Sequence, residues 1–120
     1  VPDPVATVDE LKLLVKNFCE ERDWDQFHNP KDLAIGISTE AAELLEIFRF
    51  KTDQQARAML DGGEKRNEVA EELADVFYFL LRFAQMYGFD LSEELRAKLA
   101  KNAQRYPVER SKGSNRKYDE

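Results

Sequence analysis

Cysteine is nearly absent: Cys19 is the only one among 120 residues. An intrachain disulfide is excluded, and a reducing, cytoplasmic setting is expected. Histidine is as scarce, with His28 alone. A di-iron carboxylate bundle wants a His three residues after a Glu on two helices, so that class is set aside. No apolar run is long enough to span a membrane, and the first residues show no charged segment followed by an apolar one. Basic residues are outnumbered, 18 against 24 acidic, for a net charge of −6. Neither nucleic acid nor a membrane is therefore an expected partner. The length allows one domain with a core of its own, not two.

What is present is a long apolar helix pattern at residues 68–87, EVAEELADVFYFLLRFAQMY. At 3.6 residues per turn, Val69, Leu73, Val76, Leu80, Phe83 and Tyr87 share one stripe, widened by Ala70, Ala74, Phe77 and Leu81. Glu72 lies inside this apolar sector, about 60° from its centre at 100° per residue, beside Phe79. Asp75 stands at the border, one turn on.

The same irregularity occurs earlier, in DLAIGISTEAAELLEIF. Leu33, Ile37, Ala41, Leu44 and Phe48 form an apolar face. Glu40 projects near its middle and Glu43 at its rim, whereas Glu46 points to solvent. A solvated Glu-rich surface accounts for Glu46, Glu68 and Glu71 but not for Glu40 and Glu72. Buried carboxylates are costly unless paired, and like charges three residues apart on a helix repel. Four acids converging from two helices call for a cation. The all-oxygen set Glu40, Glu43, Glu72 and Asp75 suits Mg²⁺, with Mn²⁺ as a substitute.

Around these helices the chain divides as 1–6, a flexible lead with two prolines; 7–107, a helical domain; and 108–120, a basic polar tail. Thr7 with Glu10 predicts a cap for a helix reaching about Arg22, with Leu11, Leu14, Val15 and Phe18 on one face and Cys19 as a small packing residue. Residues 23–30, DWDQFHNP, predict a loop. Its aromatics, Trp24 and Phe27, either cover the end of the bundle or cradle a flat ligand, and spacing favours the cover. His28 by itself reads as a hydrogen-bonded loop residue rather than a catalyst. Asn29-Pro30-Lys31-Asp32 caps the first acidic helix, which is expected to reach about Phe50. A short helix is expected within 52–61, ended by Gly62-Gly63. Gly88-Phe89-Asp90 breaks the central helix, and Asp90 with Glu93 caps the last long one.

Charge is unevenly spread. Residues 1–95 hold 10 basic and 21 acidic side chains, a balance of −11, and residues 96–120 hold 8 and 3, a balance of +5. On the last helix Lys98, Lys101, Asn102 and Arg105 line one edge beside the packing stripe Leu91, Leu95, Leu99 and Tyr106. Such an edge is either a solvated face or a phosphate clamp. Pro107 ends the helix. The following SKGSNRKY is either disordered or a lid, and its composition does not choose between these.

These residues together resemble the MazG-like all-α nucleoside triphosphate pyrophosphohydrolases, and within them the dCTP pyrophosphatase branch. The resemblance rests on Glu40-Ala41-Ala42-Glu43 followed by Glu72-Leu73-Ala74-Asp75, on ERDWDQFHNP, on EELADV and on NAQRYPVERSKGSNRKY. It runs nearly the whole chain from about Leu11. It implies a helical bundle of four to five helices that hydrolyses a nucleoside triphosphate to the monophosphate and pyrophosphate, working as a homodimer or homotetramer. Glu40, Glu43, Glu72 and Asp75 would hold Mg²⁺; Trp24 and His28 match positions near the base, and Lys98 and Asn102 match positions that meet the nucleotide. The chain departs from the dCTP-preferring pattern at Val15, Phe50 and Phe79, where that pattern carries His, Trp and Tyr. Phe50 and Phe79 can still pack against a base or sugar, but strict dCTP selectivity does not follow.

The expectation is thus an Mg²⁺-dependent pyrophosphohydrolase acting on deoxy pyrimidine triphosphates. Glu43, or less favourably Glu46, activates water, and Lys98, Lys101 and Arg105 steady the phosphates. The rival is a non-catalytic helical module that binds a nucleotide or a partner helix, and turnover separates the two. A homo-oligomer is also expected, because the central helix is apolar over more of its surface than one short bundle covers.

Overall fold

A computed structural model describes residues 1–120. The fold is all-helical: α1 (Val8–Glu21), a 3₁₀ turn (Asp25–Phe27), α2 (Pro30–Phe48), α3 (Asp53–Ala58), α4 (Gly63–Tyr87), α5 (Leu91–Arg105) and α6 (Val108–Ser111). None of the helices is long and apolar enough to cross a membrane.

The helix starts follow their capping residues. Thr7 Oγ1 accepts from the Glu10 amide at 3.1 Å, and Asn29 Oδ1 accepts from the Asp32 amide at 2.9 Å, with Pro30 in the first turn. Asp90 accepts from the Glu93 amide at 2.9 Å. Thr52 and Gln55 form a reciprocal box at 3.1 and 2.9 Å, which holds the six-residue α3 at its start. Gly88 ends α4 at φ 76, a left-handed position that glycine takes without strain.

Two boundaries differ from expectation. Gly62 and Gly63 do not end the short helix; they begin α4, which starts five residues before the apolar pattern does. Gly62 and Gly63, at φ 130 and 81, make the turn, and the polar EKRN that follows is helical. α2 stops at Phe48, and Phe50 turns out of it at φ 65.

The chain forms two compact units, residues 1–88 and 89–120. In the first, α4 packs against α2 and α1. The buried side chains are Cys19, Leu33, Val69, Leu81, Ala84 and the charged Arg82. The inward side of α4 runs Val69, Glu72, Val76, Phe79 and Phe83, at alternating spacings of three and four. The expected stripe is therefore rotated: Val69, Val76 and Phe83 lie on the inner side, but Leu73, Phe77 and Leu80 stay 54%, 44% and 40% exposed. The apolar arc of α4 is wider than α1 and α2 cover, and Glu72 lies on the covered part. In the second unit the basic tail contains α6, and Tyr118 meets Tyr106 edge to face at 5.9 Å.

At Gly36 the backbone of α2 lies close against the Phe79 ring of α4. A Cβ built there would lie 2.6 to 2.8 Å from three atoms of the Phe79 ring. Gly36→Ala should therefore push that ring aside and destabilise the protein by about 1–3 kcal/mol, the usual cost of overpacking. Urea melts of the two proteins measure this; a loss under about 0.5 kcal/mol would mean that the ring moves freely.

Candidate active site

α2 and α4 cross so that carboxylates from both meet. Glu40 and Glu43, one turn apart on α2, and Glu72 on α4 each offer an oxygen, and these atoms lie within 4.8 Å of one another. Glu40 Oε2 and Glu72 Oε2 are buried with no hydrogen-bond partner. A native fold rarely leaves two acceptors so, because each forfeits its water without replacement. Burial first, then a hydrogen bond shared with Glu43 and the charges of Glu43, Asp75 and Glu72, pushes the Glu40 carboxyl up to about 7. Glu72 is raised by burial first and then by Glu43 and Asp75. Crowded, half-desolvated oxygens of this kind fit a hard divalent cation, which supplies both the missing partner and the opposite charge.

Asp75 stands outside the three-oxygen group but bears on it electrostatically, and it lines the adjoining cleft with Glu40. Glu46 does not join: it faces solvent and pairs with Arg49 at 3.2 Å. Its place on α2, three residues beyond Glu43, takes it round the helix toward Arg49 and away from α4. It lies outside the three-oxygen group.

The cleft has a volume of about 550 Å³ and is lined by Leu14, Val15 and Phe18 of α1, Trp24, Glu40 of α2, and Ala74, Asp75, Tyr78 and Phe79 of α4. Its aromatics are linked edge to face: Trp24 to Phe18 at 5.6 Å, Phe18 to Tyr78 at 6.1 Å, and Tyr78 to Phe79 at 5.0 Å. Tyr78 is held by Cys19, whose buried Sγ lies 3.0 Å from the phenol oxygen. The result is an apolar, ring-rich slot with carboxylates on one wall. A flat ligand bearing a charged, metal-binding end fits both parts.

Trp24 and Phe79 are thus in the cleft. His28 and Phe50 are not among its lining residues. His28 accepts a hydrogen bond at Nδ1 from Arg82 Nε at 3.0 Å, in keeping with a hydrogen-bonded loop residue. Phe50 is 88% exposed and lies under the Arg49 guanidinium at 4.6 Å, because its left-handed backbone turns it outward. Tyr78 and Leu14 escaped the sequence reading. In sequence, Leu14 and Phe18 read as packing residues, since an apolar stripe looks alike whether it meets a core or a cleft. Tyr78 was hidden in the aromatic run Phe77-Tyr78-Phe79.

Lys98, Lys101, Asn102 and Arg105 belong to α5 of the second unit. There the Arg105 guanidinium lies over the Tyr118 ring at 4.9 Å. With Arg110, Arg116 and Lys117 it lines a separate basic cleft of about 340 Å³.

Fold and site define an all-α protein that gathers helix carboxylates at the edge of an aromatic slot. The MazG-like family matches residues 35–120. The chain is 36% identical to dCTP pyrophosphatase 1 of Mus musculus over 115 residues, covering 96% of this chain and 68% of the mouse protein. It is 35% identical to dCTP pyrophosphatase 1 of Homo sapiens over 117 residues, covering 98% and 69%. A pyrophosphatase from Archaeoglobus fulgidus, known by its crystal structure, superposes with a TM-score of 0.77 at 36% identity, covering 82% of this chain and 91% of that one. The chain belongs to the MazG-like family.

Proposed function

We propose that this protein hydrolyses nucleoside triphosphates between the α and β phosphates, releasing the monophosphate and pyrophosphate, with deoxy pyrimidine triphosphates preferred and Mg²⁺ as cofactor. The observation that carries the reading is the pair of unpartnered buried oxygens on Glu40 and Glu72, set beside an aromatic cleft. The likeness to proteins named dCTP pyrophosphatase supports the substrate class.

Glu40, Glu43 and Glu72 would hold the cation, with Asp75 at the cleft wall as a fourth, outer carboxylate. Bound there, the ion supplies charge neutralisation for the phosphate oxygens. The chain's own groups do the rest. Trp24, Phe18 and Phe79 take the base into the slot and shield that end from water. This directs the triphosphate toward the carboxylates. Glu43 is the exposed member of the three, so it can keep a lone pair for water and orient it in line with the departing pyrophosphate. Lys98, Lys101, Asn102 and Arg105, on α5 of the second unit, are the chain's candidate phosphate-binding groups. The uncovered Leu73, Phe77 and Leu80 support a homo-oligomer, dimer or tetramer.

A panel of dNTPs and NTPs with Mg²⁺, assayed for both monophosphate and pyrophosphate, tests the reaction. Equal amounts of the two products are expected, with the highest kcat/KM on dCTP. Orthophosphate as the sole inorganic product would overturn the bond assignment, and a maximum on GTP or ATP the base preference. Binding without turnover would make the protein a nucleotide-sensing module instead.

A further inference from the structure

Arg82 is the most buried charged residue of the protein, 1% exposed in the C-terminal part of α4. Its guanidinium is used on three sides. Nη2 donates to Asp25 Oδ1, Nε donates to His28 Nδ1 at 3.0 Å, and Nη1 donates to Gln85 Oε1 at 2.6 Å. Gln85 lies one turn along the same helix. The other two partners come from the link between α1 and α2, and they stand at either end of its 3₁₀ turn.

On the α1 side the link is held by backbone bonds and by Trp24 packed edge to face on Phe18; Arg82 adds its bonds from α4. Phe27 is well exposed, so it does not pin the turn into the core. Asp23, the residue before Trp24, sits at φ 57, in the left-handed region that a side chain disfavours. The Trp24 amide bonds back to Cys19 O at 3.0 Å, and the Trp24 carbonyl accepts from the Phe27 amide at 2.9 Å. Trp24 thus occupies the joint between the end of α1 and a turn whose two ends Arg82 grips. Its ring forms one wall of the cleft.

We propose that Arg82 is a positioning residue for nucleotide binding: it clasps the 22–29 link onto α4 and thereby sets the Trp24 wall of the base slot. Arg82 is not among the cleft-lining residues and acts only through Trp24. The clasp needs neutral His28, since Nδ1 must accept. A proton on Nδ1 would set a donor against the Nε–H of Arg82 and a positive charge beside a guanidinium. The groups that bear on His28 are Arg82 from α4, which opposes its protonation, and Asp25 from its own link, which favours it. Burial and Arg82 win, so the imidazole is held below its ordinary 6.5. The folded state therefore resists a proton that the unfolded chain accepts. The stabilisation from neutral His28 is complete above 6.5 and is lost as the pH falls through the lower value of the folded protein.

The inference rests on the nucleotide-hydrolase reading for its consequence, but the clasp can be tested without any nucleotide. Trp24 is the only tryptophan, so the intrinsic fluorescence of the whole chain reports this wall. In wild type, the emission should shift to the red as the pH falls from 8 to 5, with a midpoint below 6.5. His28→Gln, which stays neutral, should remove that transition. Arg82→Met, similar in length and apolar, should show the red-shifted emission already at pH 8, and Arg82→Lys should restore part of the wild-type signal by reaching Asp25. Asp25→Ala, made on the solvent side of the pair, should act as Arg82→Met does and serves if that variant fails to fold. With dCTP, the loosened variants should raise KM about tenfold while kcat stays within about threefold, because the carboxylates are untouched. A pH-independent wild-type emission, or wild-type emission and KM in both Arg82→Met and Asp25→Ala, would overturn the clasp. A wild-type protein that hydrolyses no nucleotide yet shows the fluorescence transition would instead retire the hydrolase reading and leave the clasp standing.

Discussion

Glu72→Gln should abolish most of the Mg²⁺-induced rise in melting temperature and lower kcat on the order of a hundredfold, while leaving the metal-free protein as stable as wild type or more so. The first two effects follow from removing one of the three carboxylates that would share the cation. The loss in rate is on the scale of deleting one preorganised electrostatic group from an active site. The third effect is the unusual one. Substitutions of half-buried polar groups generally destabilise, but Glu72 sits against Glu40 and Glu43 with an oxygen that nothing satisfies. Gln keeps the shape and removes the charge, which relieves a like-charge contact.

The same variant should remove only Glu72's own share of the pH dependence of the metal-free protein, because burial and Glu43, not Glu72, are the main causes of the raised Glu40 carboxyl. Glu40 binds its proton in the folded state up to about 7 and in the unfolded chain only to its ordinary 4.5. Between those values the folded state holds the extra proton. This contribution to stability is full below 4.5 and is lost as the pH rises through about 7. In EDTA, wild type should melt higher at pH 5 than the cluster allows at pH 8, and Mg²⁺ should restore the difference at pH 8. Thermal melts of both proteins, with EDTA and with Mg²⁺ at each pH, decide it. An undiminished Mg²⁺ shift and full activity in Glu72→Gln would sink the carboxylate site.

Phe77→Asp should turn the proposed oligomer into a monomer and make it markedly less stable. Leu73, Phe77 and Leu80 form a row along α4 that stays 54%, 44% and 40% exposed. Covering one such side chain is worth about 1.5–3 kcal/mol, and each contact in a symmetric pair of chains counts twice. A carboxylate in the row would be desolvated without a partner if the chains still associated. Light scattering at micromolar concentration measures the mass. Wild type should be at least a dimer, and Phe77→Asp a monomer with a lower melting temperature that no longer depends on concentration. A stable wild-type monomer would show that the row has no such partner.

The sequence by itself determined the helices, their caps and the chemical oddity at the centre of the protein. Asn29-Pro30, Thr7, Asp90 and Gly88 act through bonds to residues three or four away, so the order of residues is enough to place them. The same holds for Glu40 and Glu72. A charge that interrupts an apolar helical face is visible at 3.6 residues per turn before any partner is known. Position in space was another matter. Glu46 and Phe50 lie within ten residues of Glu40, yet one turns to Arg49 and the other leaves the helix through a left-handed backbone. Which part of the wide apolar arc of α4 faces inward was also undetermined, because Leu73 and Val76 are equally apolar and only the crossing of α2, allowed by Gly36 against Phe79, selects between them. Arg82 carried no signal at all. An arginine in an apolar helix pattern looks like an interruption on the surface, and its partners, Asp25 and His28, stand 57 and 54 residues away. Only the packing of the link onto α4 brings them together, and burial turns that meeting into a requirement: a guanidinium with no water around it must find its acceptors within the protein.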